Sequence, residues 1–325
     1  MIYFSLAACL ALAVFFAVNL VASLLATLVW RVAERGLHRV RPRTRAGSLF
    51  LLRLLPVGAA LVVVGGVFIP AFCAFEPRET RERVAISLLV LAAIGIALIA
   101  GGAARAWRAS RITRQLIGEW LKTAQPVHVP GAAIEVFGVE ADFPVVSVEG
   151  IVRPRLFISQ RVLAECTPDE LAAMIRHECG HVASADNLKR LAFRLVLDPL
   201  SFTRVGRDLE QAWHNASEDV ADDYTVTGSP RSALALAQAL VRVARMVPSG
   251  SVAVPLTSLY RGTGVERRVR RLLGSELSAS GRPAWVLAVR ALIMLPPALM
   301  LTVLLDWRLL RGVHGLIEVV VRSLP

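Results

Sequence analysis

The sequence predicts a mainly α-helical integral membrane protein with four transmembrane helices and one α+β domain in the cytoplasm. Apolar residues make up 55% of the chain, and the mean hydropathy is +0.57, which is higher than soluble globular proteins usually show. The apolar residues are concentrated in runs long enough to cross a bilayer as helices. These predicted spans cover about residues 2–30, 49–75, 85–104 and 285–305.

Polarity divides the chain into three regions. Residues 1–106 hold the first three predicted spans, and residues 283–325 hold the fourth span and a short tail. Residues 107–282 have ordinary polarity, so we expect this region to fold in water.

The basic residues predict how the spans are oriented. The loop of residues 31–48 has six arginines and a single acid, so it should remain in the cytoplasm. The loop of residues 76–84 has as many glutamates as arginines and is expected outside. The third span is again followed by arginines: Arg105, Arg108, Arg111 and Arg114. Together these features predict a protein of the cell (inner) membrane, with its N-terminus outside and the polar region in the cytoplasm.

Individual spans carry further signals. The first run lacks a basic leader and is too long for the apolar core of a signal peptide, so a spanning helix is expected rather than a cleaved secretory signal. In the second span, Arg53 is close enough to the cytoplasmic end to snorkel towards it. Pro56 and Pro70 should bend or end that helix, and Pro296 and Pro297 predict a kink in the fourth span.

The formal charge of +12 could indicate nucleic-acid binding, but another explanation fits the pattern better. The basic residues occur in blocks beside apolar runs and are not interleaved with aromatic residues. We therefore expect the lipid bilayer, and no nucleic acid, among the partners. The four cysteines show neither a disulfide framework nor the spacing of a cysteine-based zinc site.

The polar region is expected to combine a few strands with helices. Residues 132–159 are rich in Val, Ile and Phe and predict two or three strands, including residues 144–148 and 155–158. Helices are expected over residues 204–226, 232–246 and 266–273, with a loop over residues 247–264. Residues 191–202 are too short to span and should be buried or lie along the membrane surface.

One helix in this region carries a metal-binding pattern. Thr167 can cap it, Pro168 suits its first turn and Glu170 completes a capping box, and the pattern continues to about residue 187. His177 and His181 are four residues apart and so share one face. Two imidazoles at this spacing can bind Zn²⁺, and the intervening Glu178 can act as general base on a zinc-bound water.

A catalytic zinc needs a third protein ligand, and the helix of residues 204–226 offers one. Glu218 is the expected ligand, and Asp222, one turn later, could orient a ligating histidine. Two alternatives remain: Asp222 is the third ligand instead of Glu218, or these acids simply form a solvated face of the helix. Asp219 and Asp223 fit such a solvated face better.

Three more side chains are weaker candidates. His214 lies one turn before Glu218 and could stabilise the oxyanion formed during peptide hydrolysis, or it could be structural. Tyr224 is a lesser candidate for the same role. Asp186 could fix the end of the metal-binding helix or hydrogen-bond a ligand.

These residues resemble a known family, the gluzincin membrane metallopeptidases of the BlaR/MecR antibiotic-sensor type, and more distantly the HtpX and CAAX prenyl protease group. The resemblance is strong only over residues 146–224 and rests on four stretches: Gly150-Ile151-Val152-Arg153-Pro154-Arg155-Leu156-Phe157-Ile158-Ser159, Thr167-Pro168-Asp169-Glu170, His177-Glu178-Cys179-Gly180-His181 with Asp186-Asn187, and Glu218-Asp219-Val220-Ala221-Asp222. The family's N-P-L motif is replaced by Asp198-Pro199-Leu200. The penicillin-binding sensor is missing from the sequence, so antibiotic sensing is not expected.

The sequence thus predicts a membrane-embedded zinc endopeptidase that cleaves a cytoplasmic or membrane-proximal protein. The resemblance implies a role in signal transduction, such as repressor cleavage. A regulatory membrane partner of unknown identity is possible. A protease for membrane-protein quality control would use the same chemistry. A non-catalytic receptor or scaffold with a structural zinc is the alternative from a different class. Strands just before the metal-binding helix suggest that a strand edge pairs with extended substrate.

Overall fold

The computed structural model describes residues 2–76, 85–129, 134–141, 143–196, 198–227, 230–247, 263–274 and 284–323. Four helices are long and apolar enough to cross a membrane, namely Tyr3–Leu37, Pro42–Phe75, Ile86–Thr123 and Ala284–Leu305. A small sheet and further helices form the rest of the described chain. The predicted fold class, a mainly helical membrane protein with an α+β domain, is confirmed.

The membrane-spanning part is built from long helices and their short extensions. Helix α1 (Ile2–Ala33) is followed by a 3₁₀ turn (Glu34–Arg39), and α2 (Pro42–Val63) continues through a π-helical turn (Val64–Phe68) into α3 (Ile69–Phe75). After α4 (Ile86–Thr123), the chain forms the sheet and the helices described below. It then returns to this part with α11 (Ala284–Leu305) and α12 (Trp307–Ser323). Pro56 lies inside α2, and Pro296 and Pro297 lie inside α11, so these prolines do not end their helices.

Two helices extend well beyond the apolar runs that predicted them. Helix α2 begins at Pro42 rather than near residue 49, and α4 continues to Thr123 rather than ending near residue 104. The predicted boundary at residues 106–107 therefore falls within a continuous helix. Residues 77–84 of the predicted external loop lie outside the described residues. The same is true of residues 248–262 in the predicted loop of residues 247–264.

The polar region contains a four-stranded sheet. Its strands are β1 (Gln125–Pro126), β2 (Glu135–Val139), β3 (Val146–Glu149) and β4 (Arg155–Ser159), in the spatial order β1-β2-β4-β3. Strand β2 is parallel to β4, and β3 is antiparallel to β4, which makes β3 an edge strand. Apolar side chains of this sheet share a buried cluster with those of the helices that follow, including Val148, Leu156, Met174 and Leu236.

Between the sheet and α11, the described residues form six further helices. They are α5 (Gln160–Glu165), α6 (Pro168–Ala183), α7 (Asp186–Leu195), α8 (Arg204–Val226), α9 (Pro230–Met246) and α10 (Thr263–Leu272), with a 3₁₀ turn (Pro199–Phe202) before α8. The metal-binding helix was predicted to reach about residue 187, which is wrong. It ends at Ala183 because Ala185 adopts a left-handed conformation (φ 53°), and Asp186 starts a new helix.

The polar region packs directly onto the membrane helices. Leu49 and Leu52 of α2 share a buried cluster with Leu209, Trp213 and Ala216 of α8. Burial of apolar surface, worth about 25 cal/mol per Å², favours this contact.

Arg53 was expected to snorkel towards the membrane surface, and this expectation is wrong. Its side chain is fully buried, and Nη1 lies 2.6 Å from the equally buried Asp198 Oδ2. Its Nε donates to Glu210 and its Nη2 to Ser201. A buried guanidinium needs such partners, because an unpaired charge in the interior is costly.

We expect the substitution Arg53→Met to lower the free energy of unfolding by about 3 kcal/mol, because it leaves the Asp198 carboxylate buried without its counter-charge. Thermal unfolding in detergent, followed by tryptophan fluorescence, measures the change. Lys122→Met is the matched control, since Lys122 and Glu119 are both exposed and such pairs contribute less than about 1 kcal/mol. Adding Asp198→Asn to Arg53→Met should recover part of the loss. Equal effects of Arg53→Met and Lys122→Met would contradict the role given to the buried pair.

Candidate metal centre

Helix α6 begins with the capping box that the sequence predicts. The Thr167 hydroxyl accepts a hydrogen bond from the Glu170 backbone N–H (3.3 Å), and the Glu170 carboxylate accepts one from the Thr167 N–H (2.8 Å). Arg242 of α9 donates to the same carboxylate. The start of α6 is therefore fixed both locally and by its neighbour.

The two histidines and Glu218 come together between α6 and α8. The imidazole centroids of His177 and His181 are 4.9 Å apart. His177 Nε2 lies 3.4 Å from Glu218 Oε2, and His181 Nε2 lies 3.4 Å from Glu218 Oε1. All three side chains are buried, and they form a group whose candidate ligand atoms lie within 4.8 Å of one another. The structure thus brings together the three residues that the sequence suggested as ligands.

Gly180 allows the two helices to approach closely. A Cβ atom at this position would lie 3.0 Å from Cα of Ala221 and 3.2 Å from Cβ of Tyr224. A larger residue would have to push α8 away from α6, and with it the Glu218 carboxylate. The glycine within the histidine motif therefore has a packing role.

Each imidazole is oriented by a second carboxylate. His177 Nδ1 lies 3.0 Å from Asp222 Oδ1, and His181 Nδ1 lies 2.7 Å from Asp186 Oδ2. Because Nδ1 is engaged in both rings, Nε2 is the nitrogen that faces Glu218. The left-handed Ala185 turns the chain so that Asp186 reaches His181.

These carboxylates also create a field that favours a cation. Burial lowers the pKa of His181, but the charge of Glu218 and the hydrogen bonds with Asp186 and Glu218 outweigh it and raise the pKa to about 10. The pKa of His177 is raised as well, since hydrogen bonds with Asp222 and Glu218 outweigh burial and the nearby Arg268.

The donor set fits Zn²⁺. His181 Nε2 and Glu218 Oε1 are buried, and neither has a hydrogen-bond partner among the described residues. Ligands about 2.0–2.1 Å from a tetrahedral zinc lie about 3.4 Å from one another, which matches the separations above.

Glu178 is held by the sheet. Its Oε2 accepts a hydrogen bond from the Val148 N–H of β3 (3.2 Å), while its Oε1 is buried and has no partner among the described residues. Asn187 donates to the Val148 carbonyl (3.0 Å). The sequence had suggested that a strand edge pairs with extended substrate. Both backbone groups of Val148 are already engaged, however, so this residue of the edge strand does not offer a free pairing site.

Arg268 is the site residue that sequence reasoning missed. From α10, its Nη1 donates to Glu218 Oε2 (2.9 Å), and its Nε and Nη2 donate to Asp222 (3.0 and 2.6 Å). Burial raises the pKa of both carboxyl groups, but His181 and Arg268 hold the pKa of Glu218 below its usual value, and Arg268 and His177 do the same for Asp222. The signal that could have indicated the contact is the cluster of arginines on α10, which is opposite in charge to the acidic cluster of residues 218–223 on α8.

The expectation of a solvated acidic face on α8 is wrong for Asp219. Its side chain is buried, and it is paired with Arg45 near the start of α2 and with Arg267 of α10 (2.7 Å). Asp223, which pairs with Arg271, is 53% exposed and fits the expectation better.

The weaker candidates occupy different positions. His214 Nδ1 lies 3.9 Å from Glu218 Oε1, beside the candidate ligands and at the edge of a cavity. Tyr224 packs against Gly180 through its Cβ, but its side chain is 45% exposed.

Residues 111–253 match the model of Peptidase family M48. The matched region includes the sheet, α6 and α8, and hence all three candidate ligands and Glu178, whereas Arg268 lies beyond it. No curated protein matches the chain. The relationship to the BlaR/MecR, HtpX or CAAX groups stays a prediction. This region, similar to Peptidase family M48, makes up less than half of the chain; together with the four apolar helices, the match supports a membrane-associated metallopeptidase.

Proposed function

We propose that this chain is a zinc-dependent endopeptidase of the cell membrane that cleaves a cytoplasmic or membrane-proximal protein. His177, His181 and Glu218 hold Zn²⁺, and residues 107–282 form the catalytic domain. The observation that carries the proposal is the convergence of two oriented imidazoles and one carboxylate on a buried point, where His181 Nε2 and Glu218 Oε1 have no hydrogen-bond partner among the described residues.

Bound zinc supplies Lewis-acid polarisation of the scissile carbonyl and lowers the pKa of a coordinated water. The chain supplies the proton transfers. Glu178 Oε1 is buried and has no hydrogen-bond partner within the described part of the chain, so it accepts the proton of the attacking water and then delivers it to the leaving amine. The hydrogen bond from Val148 keeps the other oxygen in place during both transfers.

The remaining side chains orient the candidate zinc ligands and stabilise the oxyanion. Asp222 and Asp186 fix the tautomer and the direction of the two imidazoles. Arg268 holds one oxygen of Glu218, which leaves the other as the ligand atom. His214 is the donor best placed to stabilise the oxyanion, since it lies one turn from Glu218 and borders the cavity.

The basic segments support a cytoplasmic catalytic domain with the N-terminus outside. Arg45, from the first basic segment, pairs with Asp219 of α8. Arg105, from the second, donates to the carbonyl of Val196. Both segments therefore contact the peptidase domain at the same end of the membrane helices, and arginine-rich segments are retained in the cytoplasm.

Two biological roles use this chemistry, namely signal transduction through repressor cleavage and quality control of membrane proteins. The alternative from a different class is a receptor or scaffold with a structural zinc. A structural zinc site has four protein ligands, whereas the group found among the described residues has three. This observation favours catalysis.

The substitution Glu178→Gln should abolish proteolysis and leave zinc bound, because the amide cannot accept the proton but retains the size of the side chain. General base catalysis contributes about 10²- to 10⁴-fold, so a loss of at least 100-fold in kcat is expected. Cleavage of a peptide library by the purified, zinc-loaded protein in detergent measures it. Glu149→Gln is not a suitable control because Glu149 lines the neighbouring cavity; Glu165→Gln, on exposed α5, should retain full activity.

Activity should also disappear on removal of zinc with a chelator and return on its addition. Full activity of the Glu178→Gln protein would refute the mechanism. Zinc binding with no Glu178-dependent cleavage of any peptide would favour the scaffold.

The substitution Asp222→Asn should weaken zinc binding by about 10- to 100-fold, because the orienting partner of His177 loses its charge. Zinc content after equilibrium dialysis against a competing chelator gives the affinity. Asp223→Asn changes the adjacent, half-exposed carboxylate and should leave the affinity unchanged. Equal zinc affinities of the two variants would contradict the orienting role of Asp222.

A further inference from the structure

A cavity of about 930 Å³ lies beside the candidate metal centre. It is enclosed by the polar part of α4, by α7, by the first half of α8 and by the turn between β3 and β4. Its volume is at the upper end of the range for sites that enclose drug-sized ligands, so it can hold a few residues of an extended peptide.

The lining of this cavity is rich in arginine. Five arginines from three helices contribute to it: Arg105 and Arg114 of α4, Arg190 and Arg194 of α7, and Arg207 of α8. Three acidic residues also line it, namely Glu149, Asp208 and Glu210. The formal balance of +5 and −3 is +2.

Two of the three acids already have partners in the structure. Glu210 is already paired with Arg53, which lies outside the cavity lining. Burial raises the pKa of Glu149, whereas the hydrogen bond from Ser147 and the charges of Arg190 and Arg194 act in the opposite direction. Arg190 Nη2 is buried without a hydrogen-bond partner among the described residues. An unpaired buried guanidinium nitrogen is costly unless a ligand satisfies it.

Two lining residues place the cavity beside the candidate metal centre. His214 and Glu149 are lining residues; His214 Nδ1 is 3.9 Å from Glu218 Oε1, and Glu149 follows the residue that holds Glu178. Because the backbone of Val148 is occupied by Glu178 and Asn187, recognition here depends on side chains rather than on pairing along that part of β3.

We propose that this cavity is the substrate cleft and that it selects peptide segments with two or more acidic side chains; this inference rests on the proposed peptidase function. Arginine binds carboxylates in a bidentate geometry, which gives specificity as well as affinity. Arg105 and Arg114 are nine residues apart on α4, a distance of about 13 Å along the helix. The cleft can therefore contact acidic side chains separated by several residues.

The position of the cleft on α4 also limits where the substrate can lie. Arg105 is the first charged residue after the apolar part of this helix. The acidic segment consequently lies next to the membrane surface, either in a membrane protein or in a soluble protein that approaches the membrane.

Peptide binding tests the inference directly. The zinc-loaded Glu178→Gln full chain is placed in phosphatidylcholine nanodiscs, so that peptides bind without being cut. Fluorescence anisotropy then compares labelled decapeptides that carry two glutamates with the same peptides carrying two glutamines. We expect the glutamate peptides to bind about tenfold more tightly, and this preference to fall as salt rises.

Arginine variants provide the matched comparison. The double substitution Arg190→Gln with Arg194→Gln should remove most of the preference. Arg204→Gln neutralises another arginine of α8 that does not line the cavity and should leave the preference unchanged. An equal loss from Arg204→Gln, or equal affinities for glutamate and glutamine peptides, would overturn the proposal.

The same reagents separate failure of this inference from failure of the proposed function. Wild-type protein that cuts a peptide library in a Glu178-dependent manner, with no enrichment of Asp or Glu around the cut sites, retains the function and refutes the acidic cleft. Acidic binding without any cleavage retains the cleft and refutes the peptidase. Complete competition by nanodiscs of phosphatidylglycerol would identify a lipid-headgroup site and also overturn the proposal.

Discussion

The structure depends on the carboxylate of Glu218, which meets two imidazoles on one side and a guanidinium on the other. One oxygen lies 3.4 Å from His181 Nε2, and the other accepts from Arg268. Burying so many ionisable groups is costly unless each has a partner of opposite charge or a metal. The rest of the fold supplies those partners: Asp222 for His177, Asp186 for His181, and α10 for the acidic face of α8.

Helix α8 connects this centre with the membrane. One side of it carries Glu218 and Asp222 towards α6, and the opposite side packs Leu209 and Trp213 against α2. The Arg53–Asp198 pair fixes the turn that precedes α8 to the same membrane helix. Packed side chains of α8 therefore join α2 to the helix that carries the third candidate ligand.

Local signals were sufficient where the chemistry is local. The capping box at Thr167 and the four-residue spacing of His177 and His181 each depend on one helix, so helical geometry alone predicts both. Glu218 could be suggested because its helix is acidic and amphipathic. Arg268 and the burial of Asp219 could not, since they depend on which face of α10 meets α8. Arg53 was misplaced for the same reason, because hydropathy does not reveal that a polar domain covers the start of α2.

The sequence by itself determined the membrane-spanning helices, the histidine pair on one helix face and the glutamate between them, because hydrophobic length and helical periodicity are local properties. Only the tertiary structure decided that Glu218 reaches both rings, that Arg268 and two aspartates surround them, and that five arginines line one cavity. These arrangements join residues from separate helices, and their geometry follows from how the helices pack. Packing is fixed by close approach at positions such as Gly180, which no pattern along the chain encodes.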